Sequence, residues 1–251
     1  MTRAVLDHVA IGAWSRDDVA ADFSRWFGGR EVARFSIPSW AGLQLAFAGG
    51  IRLEVLEPVE NPADDFLQRF LERSGPSPHH TTFKVEDIRA ALEQLKGLGI
   101  EPVKVDLSDQ QWQEAFLHPG LGLGTVVQLA QQGGPWSSEK EPAPEAEGAV
   151  RAQFLGAELA SNATSAAAVF GDVLGGRATD LGDGAVAYSW DGGGGTLVVN
   201  PVEEGARPRV VALVFRMAGN TAAPGLDAGE EVLYDGPARL RRLGTDGAWP
   251  R

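Results

Sequence analysis

Two stretches of the chain alternate apolar and polar residues with the period of a half-buried strand: residues 6–14 (LDHVAIGAW) and residues 78–86 (PHHTTFKVE). Each runs into a segment with helical periodicity. In the first, Val19, Phe23, Trp26 and Phe27 share one face; in the second, Ile88, Leu92 and Leu95 do. Asp18 and Asp87 are the predicted N-caps, and Gly28 and Gly97 the predicted stops. Further strand-like runs follow in each case, LQLAFAG and IRLEVLE in the first, EAFLHP and TVVQLAQ in the second.

The two series repeat one another. His8 pairs with His80 at an offset of 72, and aligning GGIRLEVLEP (49–58) with LGTVVQLAQ (123–131) pairs Glu54 with Gln128 at an offset of 74. Each unit therefore reads βαβββ, over residues 1–75 and 76–131. The expected fold class is α+β, with tandem βαβββ modules forming a curved mixed sheet around a cleft that holds a metal.

After residue 131 the pattern breaks. QQGGPWSSEKEPAPEAEG (131–148) has neither helical nor strand periodicity and reads as a linker, 132–149, between a domain at 1–131 and a second at 150–251. Strand and helix patterns then return in residues 151–176, followed by AVAYSW, GTLVVNP and RVVALVFRM. Aligned on the first half, Gly156 falls at the place of His8, Leu197 at that of Glu54 and Ala212 at that of His80. The second half is expected to be a degenerate copy without metal ligands, the alternative being an unrelated small β-rich domain.

Composition narrows the chemistry. The chain has 251 residues, 43% of them hydrophobic, and no cysteine, so a metal must be held by His, carboxylate or amide oxygen. A formal net charge of -12 opposes nucleic acid and anionic membranes, which leaves a small molecule as the expected partner and a homodimer as an open expectation. With no apolar run of membrane-spanning length and no leader-like N-terminus, the expected location is the cytoplasm.

His8, Glu54, His80 and Gln128 are the candidate ligands. Taken singly, each has an ordinary structural reading; taken together at repeat-related positions they form a set suited to one divalent ion. His79, by strand alternation, is expected on the opposite sheet face. His118, in FLHPG, is expected to bond backbone, and GLGLG (120–124) to form a tight turn rather than a phosphate loop.

On these residues the chain resembles the vicinal oxygen chelate superfamily, and within it the branch similar to methylmalonyl-CoA epimerase. The resemblance covers about residues 5–131 and rests on LDHVAIG, IRLEVLEPVENPADDFLQRFLERSG, HHTTFKVEDIRAALEQLKGLGI and EAFLHPGLGLGTVVQL. It implies that His8, Glu54, His80 and Gln128 bind one divalent metal (Zn, Ni, Co, Mn, Mg or Fe) that engages two vicinal oxygens of a substrate. Two departures stand out: the last ligand is usually Glu where Gln128 stands, and an acid of the epimerases is replaced in IPSWAG, where Ser39 and Trp40 become pocket candidates.

The expected function is an isomerase, epimerase or lyase that stabilises an enolate or enediolate of a small carbonyl or acyl compound, with Glu54 as the proton-shuttling base. Two alternatives use the same scaffold. An Fe(II) dioxygenase of the extradiol type fits two His and one carboxylate, although its further acid/base groups find no match beyond Tyr188 and Tyr234 in the second half. A non-catalytic binding or resistance protein would ordinarily lack the ligands.

Overall fold

The computed structural model describes residues 2–138, 152–192 and 195–217, and the backbone of 231–233 and 239–243. Residues 139–149 of the expected linker, residues 193–194, and Tyr234 lie outside the described residues.

The first unit runs β1 (Ala4–Gly12), α1 (Arg16–Phe27), β2 (Arg30–Ser36), β3 (Trp40–Ala46), β4 (Gly49–Gly50) and β5 (Arg52–Pro58). A short helix, α2 (Phe66–Ser74), leads to the second unit: β6 (Ser77–Val85), α3 (Ile88–Gly97), β7 (Lys104–Asp106), β8 (Trp112–Leu117) and β9 (Val126–Gln132). These build one mixed sheet in the order β2-β3-β5-β1-β6-β9-β8-β7, in which β1 and β6 are antiparallel and each is parallel to its own unit's last strand, β5 or β9. The two βαβββ units thus meet at the centre of the sheet, as the repeat predicts.

Local chemistry explains the helix ends. Asp87 caps α3 as expected, accepting from the Ala90 N–H. At α1 the cap is Ser15, not Asp18: the Ser15 hydroxyl accepts from the Asp18 N–H, and Asp17 and Asp18 lie inside the first turn, where their charge favours the helix dipole. Gly28 closes α1 at φ 69°, a left-handed conformation that glycine adopts at low cost.

The second half repeats the plan with β10 (Ala152–Ser161), α4 (Ala163–Ala166) continuing into a π-turn at Ala167–Val173, β11 (Arg177–Gly182), β12 (Ala185–Ser189), β13 (Thr196–Pro201), β14 (Arg209–Met217), β15 (Glu231–Leu233) and β16 (Arg239–Leu243). Its sheet order, β11-β12-β13-β10-β14-β16-β15, parallels that of the first sheet without its last strand. The short β4 of the first half pairs with β10, with the Ile51 N–H donating to the Phe154 carbonyl at 2.9 Å, so the halves are joined through backbone as well.

Their apolar backs form one core. Phe23 and Phe27 of α1 and Phe47 meet Phe154 and Phe215 of the second sheet, with Phe215 stacked on Phe27 at 4.0 Å and on Phe154 at 4.5 Å between ring centroids. Phe83 of β6 likewise packs against Phe170 and Trp190. Phe215→Ala is therefore expected to cost about 3–5 kcal/mol and to lower the melting of both halves in a single transition. Urea unfolding followed by circular dichroism and tryptophan fluorescence checks this; unfolding of one half alone would contradict the shared core.

The glycine-rich turn after β8 serves that packing. His118 Nδ1 accepts from the Gly120 N–H at 2.9 Å, and the Gly122 carbonyl accepts from Asn162 N–H and Ser161 Oγ at the end of β10, both at 2.8 Å. Gly122 and Gly124 take φ values of 83° and 81°. GLGLG is thus a turn docked on the second half, and His118 a backbone cap. Among the described residues no helix is long and apolar enough to cross a membrane.

Candidate metal centre

The four predicted ligands sit on four neighbouring strands, β5, β1, β6 and β9, and all four are buried. Register explains why they converge. Glu54 pairs with Ala10, which pairs with His80; His8 pairs with Thr82, which pairs with Gln128. In each row two ligands bracket a small residue, Ala10 or Thr82, whose short side chain leaves room between them.

The ligand atoms of His8, Glu54 and His80 all lie within 4.8 Å of one another. Glu54 Oε2 is 3.5 Å from His8 Nε2 and 3.8 Å from His80 Nε2, while Glu54 Oε1 accepts from Gln44 Nε2 at 3.0 Å. Among the described residues His8 Nε2 is buried without a hydrogen-bond partner. A buried imidazole nitrogen without a donor or acceptor, facing a carboxylate and a second imidazole, suits a divalent cation of the first transition series. Gln128 Oε1 accepts from Thr82 Oγ1 at 2.6 Å, and the amide also hydrogen-bonds His80.

Two β-bulges orient the imidazoles. The pairing of β1 with β6 shifts between Leu6 and His8, which makes Asp7 an extra residue, and again between Ala10 and Ile11, opposite His79. Asp7 Oδ2 lies 2.8 Å from His8 Nδ1, and His79 Nδ1 lies 2.9 Å from His80 Nδ1. Each bulged residue thus holds the Nδ1 of the following histidine and turns its Nε2 inward, a common way of fixing an imidazole for metal binding. This corrects the expectation that His79 lies on the opposite face. The alternation rule assumes an unbroken ladder, and the bulge breaks it at that residue.

Electrostatics follow from burial and these contacts. Burial disfavours the charged form of His8, but the charge of Glu54 and the bond from Asp7 outweigh it and raise its pKa to about 9. Burial likewise opposes ionisation of Glu54, yet His8, His80 and Gln44 hold it down to about 2. Burial lowers His79 to about 4 and pushes His80 well below the ordinary range, so both rings are neutral near pH 7.

One end of the cleft is apolar. The α2 helix covers it with Leu67 and Leu71 packed on Ala10 and Leu56, and Phe66 and Phe70 set their rings against His79. Trp40 packs on this cluster, whereas Ser39 lies in the turn between β2 and β3. The other end is polar. Arg52 Nη1 donates to Gln44 Oε1 at 3.3 Å, Lys84 Nζ lies 3.5 Å from Asp7 Oδ1, and Glu114 of β8 accepts from Gln128 Nε2 at 2.8 Å. Glu114 was not legible as a site residue, since nothing in EAFLHP marks it apart from an ordinary polar strand position.

The second half has no such cluster among its described residues. Gly156 does occupy the register position of His8, and a Cβ there would come within 1.9 Å of the Thr196 carbonyl oxygen, so no side chain fits without moving the strand. Ala212 matches His80. The residue at the place of Glu54 is Val198 rather than Leu197, because Val198 is the partner of Glu158 as Glu54 is of Ala10; aligning the two prolines shifted that alignment by one.

No curated protein matches the chain. Among solved structures it is similar to methylmalonyl-CoA epimerase from Mycobacterium tuberculosis (20% identity, 52% of this chain and 89% of that one, TM-score 0.46). It is also similar to the hypothetical protein BH1468 from Bacillus halodurans (21%, 53% and 98%, TM-score 0.47). A third is Streptomyces coelicolor methylmalonyl-CoA epimerase in complex with 2-nitronate-propionyl-CoA (18%, 53% and 100%, TM-score 0.46). The family model described as Glyoxalase/Bleomycin resistance protein/Dioxygenase superfamily matches residues 7–116, a stretch that includes His8, Glu54 and His80 and ends before Gln128. Over residues 7–116 the chain is thus similar to the glyoxalase/bleomycin resistance protein/dioxygenase superfamily.

Proposed function

We propose that this chain is a divalent-metal-dependent enzyme of proton transfer, an isomerase, epimerase or lyase acting through the enolate or enediolate of a small carbonyl or acyl compound. The observation that carries the reading is the buried trio of His8, Glu54 and His80, each imidazole held at Nδ1 so that its Nε2 points to one space. His8, Glu54, His80 and Gln128 would hold the ion. When bound, a divalent ion supplies Lewis-acid stabilisation of negative charge on a substrate oxygen.

The protein's own groups do the rest. Asp7 and His79 keep the imidazoles in place, and Leu67, Leu71 and Trp40 exclude water from one side of the cleft. Glu54, ionised over the whole physiological range, accepts the proton from the carbon beside the carbonyl. Its weak basicity suits only a C–H that is already acidified. Arg52 and Lys84 at the polar end favour a substrate that carries an anionic group.

The test is solvent exchange. The full chain, loaded with Zn, Ni, Co, Mn or Mg in turn, is incubated in deuterated water with a panel of 2-substituted carboxylates, 2-hydroxy ketones and acyl thioesters. Metal-dependent deuterium uptake at the carbon beside the carbonyl is expected for at least one class. Oxygen consumption with a catechol and Fe(II), without exchange in the panel, would overturn the reading in favour of ring cleavage.

A further inference from the structure

Gln128 stands at the register position that Glu54 holds in the first unit, because it pairs with Thr82 as Glu54 pairs with Ala10. An amide in that place can turn either its oxygen or its nitrogen towards the cleft, and only the oxygen can bind a cation. The surroundings decide which. Gln128 Nε2 donates to Glu114 Oε2 at 2.8 Å, and a carboxylate can serve only as acceptor there. The oxygen therefore faces the other way, towards Thr82, whose hydroxyl donates to it at 2.6 Å, and towards the His80 ring.

Glu114 is itself fixed. Its Oε2 also accepts from Trp112 Nε1 at 3.2 Å, and its Oε1 lies 3.5 Å from Lys104 Nζ on β7, so groups from three strands converge on one carboxylate. With 20% of its side chain exposed, it borders the cleft without entering the cluster of ligands.

We propose that Glu114 is a positioning residue for the metal centre: it locks Gln128 with the amide oxygen inward and restores, one hydrogen bond away, the negative charge that an amide ligand lacks. This rests on the metal-centre reading given above. The pairing also changes what Gln128→Glu does, since the new carboxylate would face Glu114 across a hydrogen-bond distance with no proton between them.

The experiment is a calorimetric titration of the full chain with Co²⁺ at one pH, for wild type, E114Q, Q128E and the exchanged pair E114Q/Q128E. Loss of Glu114 should weaken Co²⁺ binding by about 10- to 100-fold, the usual effect of removing a group that orients a ligand. The exchanged pair should recover affinity to within about threefold of wild type, a coupling that two independent sites would not produce. The exchanged pair decides the matter even if E114Q alone disturbs the sheet, because it keeps a carboxylate and an amide in contact. A wild-type chain that bound no Co²⁺ would overturn the metal centre and this inference together. A wild-type chain that bound Co²⁺, with E114Q binding it as tightly or the exchanged pair no better than E114Q, would overturn the inference alone.

Discussion

Glu54→Gln is expected to lower metal-dependent proton exchange by about 10²- to 10⁴-fold at saturating metal, the range in which a general base contributes. The amide keeps an oxygen for the ion and the shape of the side chain, so the loss should fall on kcat more than on metal occupancy. Measuring deuterium uptake for wild type and the variant, each with its metal content determined, checks this. An E54Q protein that retained the metal and exchanged as fast as wild type would mean that the base lies elsewhere in the cleft.

His8→Ala and His80→Ala are each expected to abolish tight metal binding while leaving the circular dichroism spectrum near that of wild type. Leu6, Val9 and Ile11 of β1, with Phe83 and Val85 of β6, belong to the core, whereas the two imidazoles project into the cleft, so removing them leaves the packed side of the sheet unaltered. For the wild-type chain, affinity should depend on pH with a definite sign. His8 holds a proton up to about pH 9 in the free site and must lose it to present Nε2, so binding competes with that proton. Affinity should rise about tenfold per pH unit towards pH 9 and weaken as pH falls, with about one proton released per ion near neutrality. Calorimetry in buffers of different ionisation enthalpy measures that number. Unfolding of both alanine variants would instead make the metal a structural element.

Much of this architecture is legible in the sequence because the repeat and the pattern agree. The alternation around His8 and His80, the matched helices and the two similar offsets put His8 and Glu54 on different strands of one unit, and His80 and Gln128 at the matching places of the other, before any coordinate is known. What escapes is whatever depends on the exact ladder. Two extra residues in β1 and β6 put Asp7 and His79 beside the imidazoles, and period-two reasoning cannot anticipate a bulge. Glu114 becomes meaningful only when β8 lies next to β9. Val198 supplants Leu197 because strand register, not the spacing of prolines, fixes equivalence. The shared core of the two halves is likewise a matter of tertiary packing: Phe215 reads as any strand residue until it is found between Phe27 and Phe154.

The proposed chemistry requires one divalent ion among His8, Glu54, His80 and Gln128. Crystals of the chain grown with Co²⁺ or Zn²⁺ and measured on either side of the metal's absorption edge locate the ion directly. One anomalous peak per chain is expected, about 2.0–2.1 Å from the Nε2 atoms of both His8 and His80 and near Glu54 Oε2 and Gln128 Oε1. A peak elsewhere, a second strong peak beside Gly156 and Ala212, or an empty site at full metal saturation would contradict it.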